Sequence, residues 1–460
     1  MAVLLGKQRV HCVGAGGIGL SAIAEILLAK GYEVSGSDMN ESDVTDRLIA
    51  SGAAIYLGHR AKNVENADII IYSAAVSREN PEIVRGFERG IPVISRAEAL
   101  GELMSGYKHS VAVAGTHGKT TATSMISLIL KDSGKDPTIL VGGNLSEIGG
   151  NVRVGNSEYF VTEACEYMDS FLCLAPRYAV ILNIDSDHLD YFEDIGHIAR
   201  SFDSFANLTP DDGAVVAYDA NPFVNSILAG LKRRVVTFGF HDICSYRATD
   251  IMFNSAGMPS FTVNHGDGSV CRVQLAIPGE HNIANALAAF ACCRDMGVET
   301  ESIVKTLEAF EGTQRRFDAL GETENGIKVV DEYAHHPAEI RATLKAAKNI
   351  PHKNLWCLFQ PHTYTRTIAL FEEFVEAFAL ADKVVMTKIY AAREKNIHKI
   401  SSKSLIDEIK RRYPFRNAYY FESFEEIASF VLNNAEPGDL VLTMGAGDIY
   451  KAGELILENM

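Results

Sequence analysis

Eight cysteines among 460 residues include no Cys-x-x-Cys pair, and Cys292 and Cys293 are adjacent. That spacing builds neither a zinc ribbon nor a disulfide framework, so reduced thiols packed in a core are expected. No apolar run approaches the ~20 residues that cross a bilayer, and no signal peptide precedes Gln8-Arg9-Val10. A cytoplasmic protein without membrane insertion is the expectation. Basic residues are in deficit: 43 Lys and Arg against 59 Asp and Glu leave a net charge of −16. Nucleic acid needs clustered cations to neutralise its phosphates, which argues against it as a partner. An ATP enzyme can be acidic overall, because its cations need only be local. Repeats, linkers and low-complexity tracts are not evident.

What is present is an ordinary globular composition, 47% hydrophobic and 22% charged, over a length that suggests three domains. The chain is organised around Val111-Ala-Val-Ala-Gly115-Thr116-His117-Gly118-Lys119-Thr120-Thr121. An apolar strand ends in a short glycine loop, and Lys-Thr opens a helix expected from Gly118 to about Asp132, with Met125, Ile126, Ile129 and Leu130 inward. Backbone N–H groups of such a loop surround phosphate oxygens, and the helix N-terminus adds its positive end. Lys119 would bring a point charge to the β/γ-phosphates and Thr120 a hydroxyl to Mg²⁺. The loop is shorter than a standard P-loop: Val113 stands where the first glycine belongs, and Gly115 replaces it. A plain glycine turn is the competing reading.

The first domain, residues 1–106, opens with strand Arg9 to Val13 and then Gly14-Ala-Gly16-Gly17-Ile-Gly19. A helix with Ala22, Ile23, Ile26 and Leu27 on one face follows, and a strand from Tyr32 to Ser37 leads into Asp38. This is the Gly-x-Gly-x-x-Gly fingerprint in its strand–turn–helix setting. It implies a nucleotide diphosphate, with Asp38 accepting from a ribose hydroxyl. NAD, FAD and UDP-sugars all fit. Ser73 and Arg96 lie just past further strands, Ala67 to Tyr72 and Ile91 to Ile94, where such sheets bind ligands.

In the second domain, residues 107–313, Glu163 follows strand Tyr159 to Thr162 and could hold Mg²⁺ directly or through water. The strand Tyr178 to Ile184 delivers Asp185, Asp187, His188 and Asp190, of which His188 could bind metal or a substrate phosphate. Glu166 and Asp169 read as surface residues. Short alternating segments from Ser245 to Ile277, with Asn264-His-Gly-Asp-Gly268 between two of them, read as an antiparallel ribbon flanking the main sheet. His281, Asn282 and Asn285 then share one face of a helix start and could meet an adenine, although a polar helix start explains them as well. The third domain, residues 314–460, repeats one pattern: strands Ile327 to Val330, Leu355 to Phe359, Lys383 to Thr387 and Leu440 to Thr443 each precede a polar cluster. Among those clusters are Asp331, Tyr333, His335 and His336, then Gln360 to Thr367 with Arg366. Zinc on His335 and His336 is not expected, since adjacent side chains on a strand exit point apart and no His-Glu-x-x-His accompanies them.

Taken in order, Gly14 to Gly19, Gly115 to Thr121, Asn183 to His188, Gly279 to Asn282, Arg315 to Phe317, Asp331 to Pro337 and Gln360 to Thr367 resemble the Mur ligases over nearly the whole chain. The resemblance implies a three-domain α/β protein: a Rossmann-like UDP-binding domain, a central P-loop ATPase domain with its ribbon, and a Rossmann-like C-terminal domain closing over an amino acid. It favours UDP over NAD at the first fingerprint. It further implies the branch that adds L-alanine to UDP-N-acetylmuramate with ATP and Mg²⁺ or Mn²⁺, as a monomer or weak homodimer. By resemblance, Gly115 to Thr121 hold the ATP phosphates, and Thr120, Glu163 and His188 bind metal. His281, Asn282 and Asn285 contact the nucleoside, Arg316 the phosphates, and Asp331 also faces ATP. Gly14, Gly16, Gly17, Gly19, Asp38, Ser73 and Arg96 bind the UDP-sugar. Tyr333, His335, His336 and Arg366 line the substrate cleft, with His335 or His336 accepting the amine proton. Sibling ligases carry a carbamylated lysine in the central domain, yet no Lys lies between Lys135 and Lys232, which excludes it here. Alternatives are a recycling ligase that attaches a tripeptide to the same UDP-sugar, a dehydrogenase, and a nucleotide-gated binding protein.

Overall fold

The computed structural model describes residues 4 and 6–458, except 190, 267, 269, 393 and 415. Asp190 of the second acidic cluster and Asp267 of the ribbon turn therefore lie outside the described residues. Three sheets account for the architecture.

The first has five parallel strands in the order Ala54–Leu57, Glu33–Asp38, Arg9–Val13, Ile69–Tyr72, Val93–Ser95. Chain direction across the sheet reverses between Arg9–Val13 and Ile69–Tyr72, so a crevice opens past Val13 and Tyr72. Gly14 and Ser73 sit there, Gly14 at φ +83°, a conformation side chains resist.

The second sheet has ten strands. Its middle is parallel, with His109–Ala114 between Tyr159–Glu163 and Tyr178–Ile181. Helix Lys119–Asp132 is buried nearly all round, more than the one inward face expected. The Ala-rich helix Glu280–Asp295 packs along its other side, where small side chains allow close approach. The strands Tyr246–Phe253, Pro259–His265 and Val270–Gln274 are antiparallel to one another, as expected. They do not flank the sheet but continue it, because Tyr246 and Arg247 pair in parallel with Phe238 and Gly239.

The third sheet runs Asp318–Glu322, Lys328–Glu332, Leu440–Met444, Leu355–Phe359, Lys383–Met386, Asn417–Tyr420. Only its first strand is antiparallel. Every residue of Leu355–Phe359 and Leu440–Met444 is buried, as a parallel sheet covered on both faces requires.

Candidate active site at the meeting of three sheets

The central loop is shaped by two glycines, Gly115 at φ +151° and Gly118 at φ +84°, the latter capping helix Lys119–Asp132. Asn183, at the exit of the neighbouring strand, clamps the loop: its Oδ1 accepts from the His117 N–H at 2.8 Å, and its Nδ2 donates to the His117 carbonyl at 3.0 Å. Lys119 folds back, donating from Nζ to the Thr116 carbonyl at 3.2 Å and to Glu166 at 2.9 Å. Burial works against that charge, yet Glu166 more than offsets it and raises the Lys119 pKa. Glu166 is thus not a surface residue; it is 1% exposed because it neutralises the loop lysine. Asp169 is not free either, accepting from Tyr191 Oη at 2.6 Å and from Ser201 Oγ.

A cavity of about 560 Å³ opens beside the loop, with His117, Gly118, Thr121, His281, Asn282 and Asn285 on its polar side. Tyr218, Phe238, Phe240 and Ile277 form an apolar side suited to a purine. Arg316 reaches in from the third unit and lies 5.0 Å over the Tyr333 ring. Asp331 does not face this cavity. Successive residues of a strand point to opposite faces, so Asp331 lies buried under Arg315 (2.9 Å) and Thr443 (2.7 Å), and Glu332 lines the cavity instead. Burial pushes the Glu332 carboxyl up to about 7, with Arg316 pulling the other way.

Two clefts flank the first glycine turn. One, of about 500 Å³, is bounded by Gly14, Gly17, Asp38, His59 and Ser73. The other, of about 390 Å³, joins Gly17, Gly19 and Arg96 to Gly142, Glu163 and Cys165 of the central unit. Asp38 accepts from the Gly16 N–H at 2.9 Å, so it also braces the turn. Glu163 accepts from the Gly142 N–H at 2.5 Å.

A further cleft of about 580 Å³ lies between the second and third units, with Asp187, His188, His362, Arg366 and Glu394 in its walls. Arg366 pairs with Asp187 at 3.0 Å; burial pushes the Asp187 carboxyl up, but Arg366 outweighs it and leaves the group well below the usual range. His188 packs 4.7 Å from Tyr167, so it and Glu163 open into different clefts. Tyr333, His335 and His336 do not line the clefts described. Tyr333 lies under the Arg315 and Arg316 guanidiniums. His335 Nδ1 faces the Tyr333 carbonyl at 3.1 Å, and burial drives its pKa to about 3. His336 is spent on structure: Nδ1 accepts from the Ala338 N–H at the start of helix Pro337–Lys348, and Nε2 donates to the Ser186 carbonyl at 2.9 Å.

Strand alternation is the signal that would have exchanged Asp331 for Glu332. Nothing local marks Asn183 as a clamp, Glu166 as the lysine's partner or Glu339 as a contact of the loop, since each meets its partner only in the folded chain. Among the described residues, His117, Asp185 and His336 bring possible metal-binding atoms within 4.8 Å of one another. Both His336 nitrogens are already engaged, so that group serves as a seam between units. No helix of the described residues is long and apolar enough to cross a membrane.

A glycine loop beside an apolar-walled cavity, a cleft joining the first glycine turn to the central unit, and a third unit supplying Arg316 are the layout of an ATP-dependent ligase. Comparison with known proteins agrees. Residues 9–108 match the family model for the Mur ligase catalytic domain, residues 113–293 the Mur ligase middle domain, and residues 315–447 the Mur ligase glutamate ligase domain. The chain belongs to the Mur ligase family. It is 49% identical over 450 residues to a UDP-N-acetylmuramate–L-alanine ligase of Alkaliphilus metalliredigens, covering 98% of this chain and 97% of the relative. A ligase of the same name from Caldanaerobacter subterraneus is 50% identical over 451 residues, with the same coverage of each. The UDP-N-acetylmuramate-alanine ligase structure from Thermotoga maritima superposes with TM-score 0.81 at 30% identity, covering 98% of both chains. A murein peptide ligase from Psychrobacter arcticus gives 0.73 at 26%, again over 98% of both.

Proposed function

We propose that this chain joins L-alanine to the lactyl carboxylate of UDP-N-acetylmuramate through an acyl phosphate. The observation that carries the reading is the cleft that joins Gly17, Gly19 and Arg96 of the first unit to Gly142, Glu163 and Cys165 of the central one, the last two close enough to Lys119 to act on its charge. An acid held there by its nucleotide handle meets a triphosphate held by Gly115 to Thr121.

A carboxylate is a poor electrophile and must first gain a leaving group. One carboxylate oxygen attacks the γ-phosphorus, the bond to the β-phosphate oxygen breaks, and ADP departs. The amine nitrogen of L-alanine then attacks the acyl carbon, and inorganic phosphate leaves from the tetrahedral intermediate. Phosphoryl transfer is mostly positioning and charge neutralisation. Lys119 supplies that charge after exchanging Glu166 for phosphate, and Arg316 adds a second cation across the seam. Thr120 and Glu163 offer hard oxygens that fit Mg²⁺ or Mn²⁺, which would neutralise phosphate charge there; His188, in the wall of the other cleft, stands outside that donor set in this arrangement. Of the two histidines only His335 keeps a ring nitrogen without a hydrogen-bond partner among the described residues, but it lies outside the clefts with its pKa driven to about 3, so in this arrangement neither is placed to accept the amine proton. The Asp187–Arg366 cleft is then the amino-acid side.

The tripeptide-recycling reaction is the second reading, favoured by the likeness to the murein peptide ligase. ADP formation with UDP-N-acetylmuramate, measured against a panel of amino acids and the tripeptide, separates the two. L-Alanine dependence supports the first reading, and dependence on tripeptide alone overturns it.

A further inference from the structure

Behind the first nucleotide cleft lies a carboxylate that the reaction above leaves unused. Glu82, near the start of helix Pro81–Glu88, is 0% exposed, and among the described residues its ion-pair partners are two histidines rather than a Lys or Arg. Such burial is costly for a charge unless donors surround it. Here they do. Ser37 Oγ donates to Oε2 at 2.6 Å, Asn63 Nδ2 to Oε1 at 2.6 Å, and the Arg60 N–H to Oε1 at 3.4 Å. His59 Nδ1 lies 3.0 Å from Oε2, and His11 Nε2 3.6 Å from Oε1. Burial pushes the carboxyl up, but the neighbouring His11 and the hydrogen bonds from Ser37 and Asn63 outweigh it and hold the pKa at about 2.

Separate segments of the chain therefore converge on one anion, and one of the groups they bring, His59, also lines the cleft. An ionised carboxylate only accepts, so the His59 nitrogen facing it, Nδ1, carries the proton. Ser37 Oγ, 2.9 Å away, already donates to Glu82 and can only accept from that same N–H. His59 lines the cleft while its Nδ1 is held by Glu82, which leaves Nε2 as the ring nitrogen available to a ligand, and in the neutral ring it is a lone pair. The diphosphate belongs at the glycine turn and helix start, and Asp38 marks the sugar beyond it. His59, past the end of the next strand out, Ala54–Leu57, lines the same cleft as Asp38 on the side away from the helix start.

We propose that His59 reads the base: Nε2 accepts the N3–H of a uracil, and Glu82 is the positioning residue that fixes the ring and its tautomer. Cytosine offers a lone pair at N3 and would oppose the His59 lone pair. The proposal rests on the UDP reading above and adds the discriminating group.

The test is calorimetric titration of the full chain with UDP and with CDP, using the unaltered protein, His59→Gln and Glu82→Gln, with ATP binding as a control for folding. The unaltered protein should prefer UDP by about tenfold or more, since a site built around one hydrogen bond rejects the analogue that cannot make it. In His59→Gln the amide can turn to donate or accept, so the preference should shrink to about threefold or less with ATP binding unchanged. In Glu82→Gln the new amide N–H can donate to Nδ1 and move the proton to Nε2, which should lower or reverse the preference. A purely structural role would weaken both nucleotides together. If His59→Gln binds ATP normally and keeps the full preference for UDP, the proposal is wrong, whether or not Glu82→Gln folds. Equal binding of UDP and CDP by the unaltered protein also overturns it. No binding of UDP at all would instead remove the nucleotide reading, and this inference with it.

Discussion

Replacing Glu339 by glutamine should loosen the third unit from the phosphate loop. His117, in the loop itself, places Nδ1 3.1 Å from Glu339 Oε1 and Nε2 3.5 Å from Asp185 Oδ2, with the His336 ring 4.9 Å away. Burial lowers the His117 pKa, but Asp185 and Glu339 overcome that and hold it at about 9 against an ordinary 6.5. At ~1.36 kcal/mol per pH unit the whole shift represents about 3 kcal/mol, but Asp185 belongs to the same unit as His117, so only the Glu339 share bears on docking of the third unit. The pKa is raised on docking, so this stabilisation is fully present below pH 6.5 and is lost as pH rises through about 9. The amide oxygen of a glutamine at this position could still accept one backbone bond at the helix start, where Glu339 Oε2 now takes the His335 and His336 N–H groups at 3.1 and 3.3 Å. The radius of gyration from small-angle scattering should therefore grow between pH 6.5 and 9 in the unaltered protein. In Glu339→Gln the same expansion should begin at lower pH, because the Glu339 share of the interaction is gone. A radius constant from about pH 6 to 10, or identical curves for the two proteins, would refute the clasp and its pH dependence.

Lys119→Ala should cut kcat for ADP release by about 10²-fold or more, as loss of a single transition-state donor does. It should also lower the melting temperature, because Glu166 is left buried without its cation. Adding Glu166→Gln should restore the melting temperature without restoring turnover; recovery of turnover would remove Lys119 from the mechanism. Gly118→Ala forces φ +84° on a residue with a side chain and sets its methyl 2.5 Å from Asn285 Oδ1. ATP affinity should fall by about tenfold, from strain of about 1–2 kcal/mol, while UDP binding stays unchanged. In thermal melts UDP-N-acetylmuramate should stabilise the protein and NAD should not; stabilisation by NAD alone would revive a dehydrogenase.

Three α/β units and their strand exits were legible because the signals are local. An apolar run, a glycine turn and a helix start mark each ligand edge, as at Val13-Gly14 and Ala114-Gly115. The ribbon from Tyr246 was legible as antiparallel, yet its joining to the main sheet rests on two parallel pairs that no local pattern announces. Within the site, Gly118 and Thr121 border the cavity beside the loop, whereas Asp331 points inward with Glu332 towards the cavity, and Tyr333, His335 and His336 lie outside the clefts. Glu166 looked like a surface acid because its partner, Lys119, lies 47 residues earlier in the chain. His335 and His336 looked equivalent, and only the contacts with Ser186 and Ala338 show His336 committed at both nitrogens.

Oxygen tracing bears most directly on the joining of the two nucleotide sites. UDP-N-acetylmuramate labelled with ¹⁸O in its lactyl carboxylate, turned over with ATP and L-alanine, should yield inorganic phosphate carrying one ¹⁸O per amide formed. Label appearing in AMP, or unlabelled phosphate beside a fully formed amide, would show that the carboxylate never attacked the γ-phosphate.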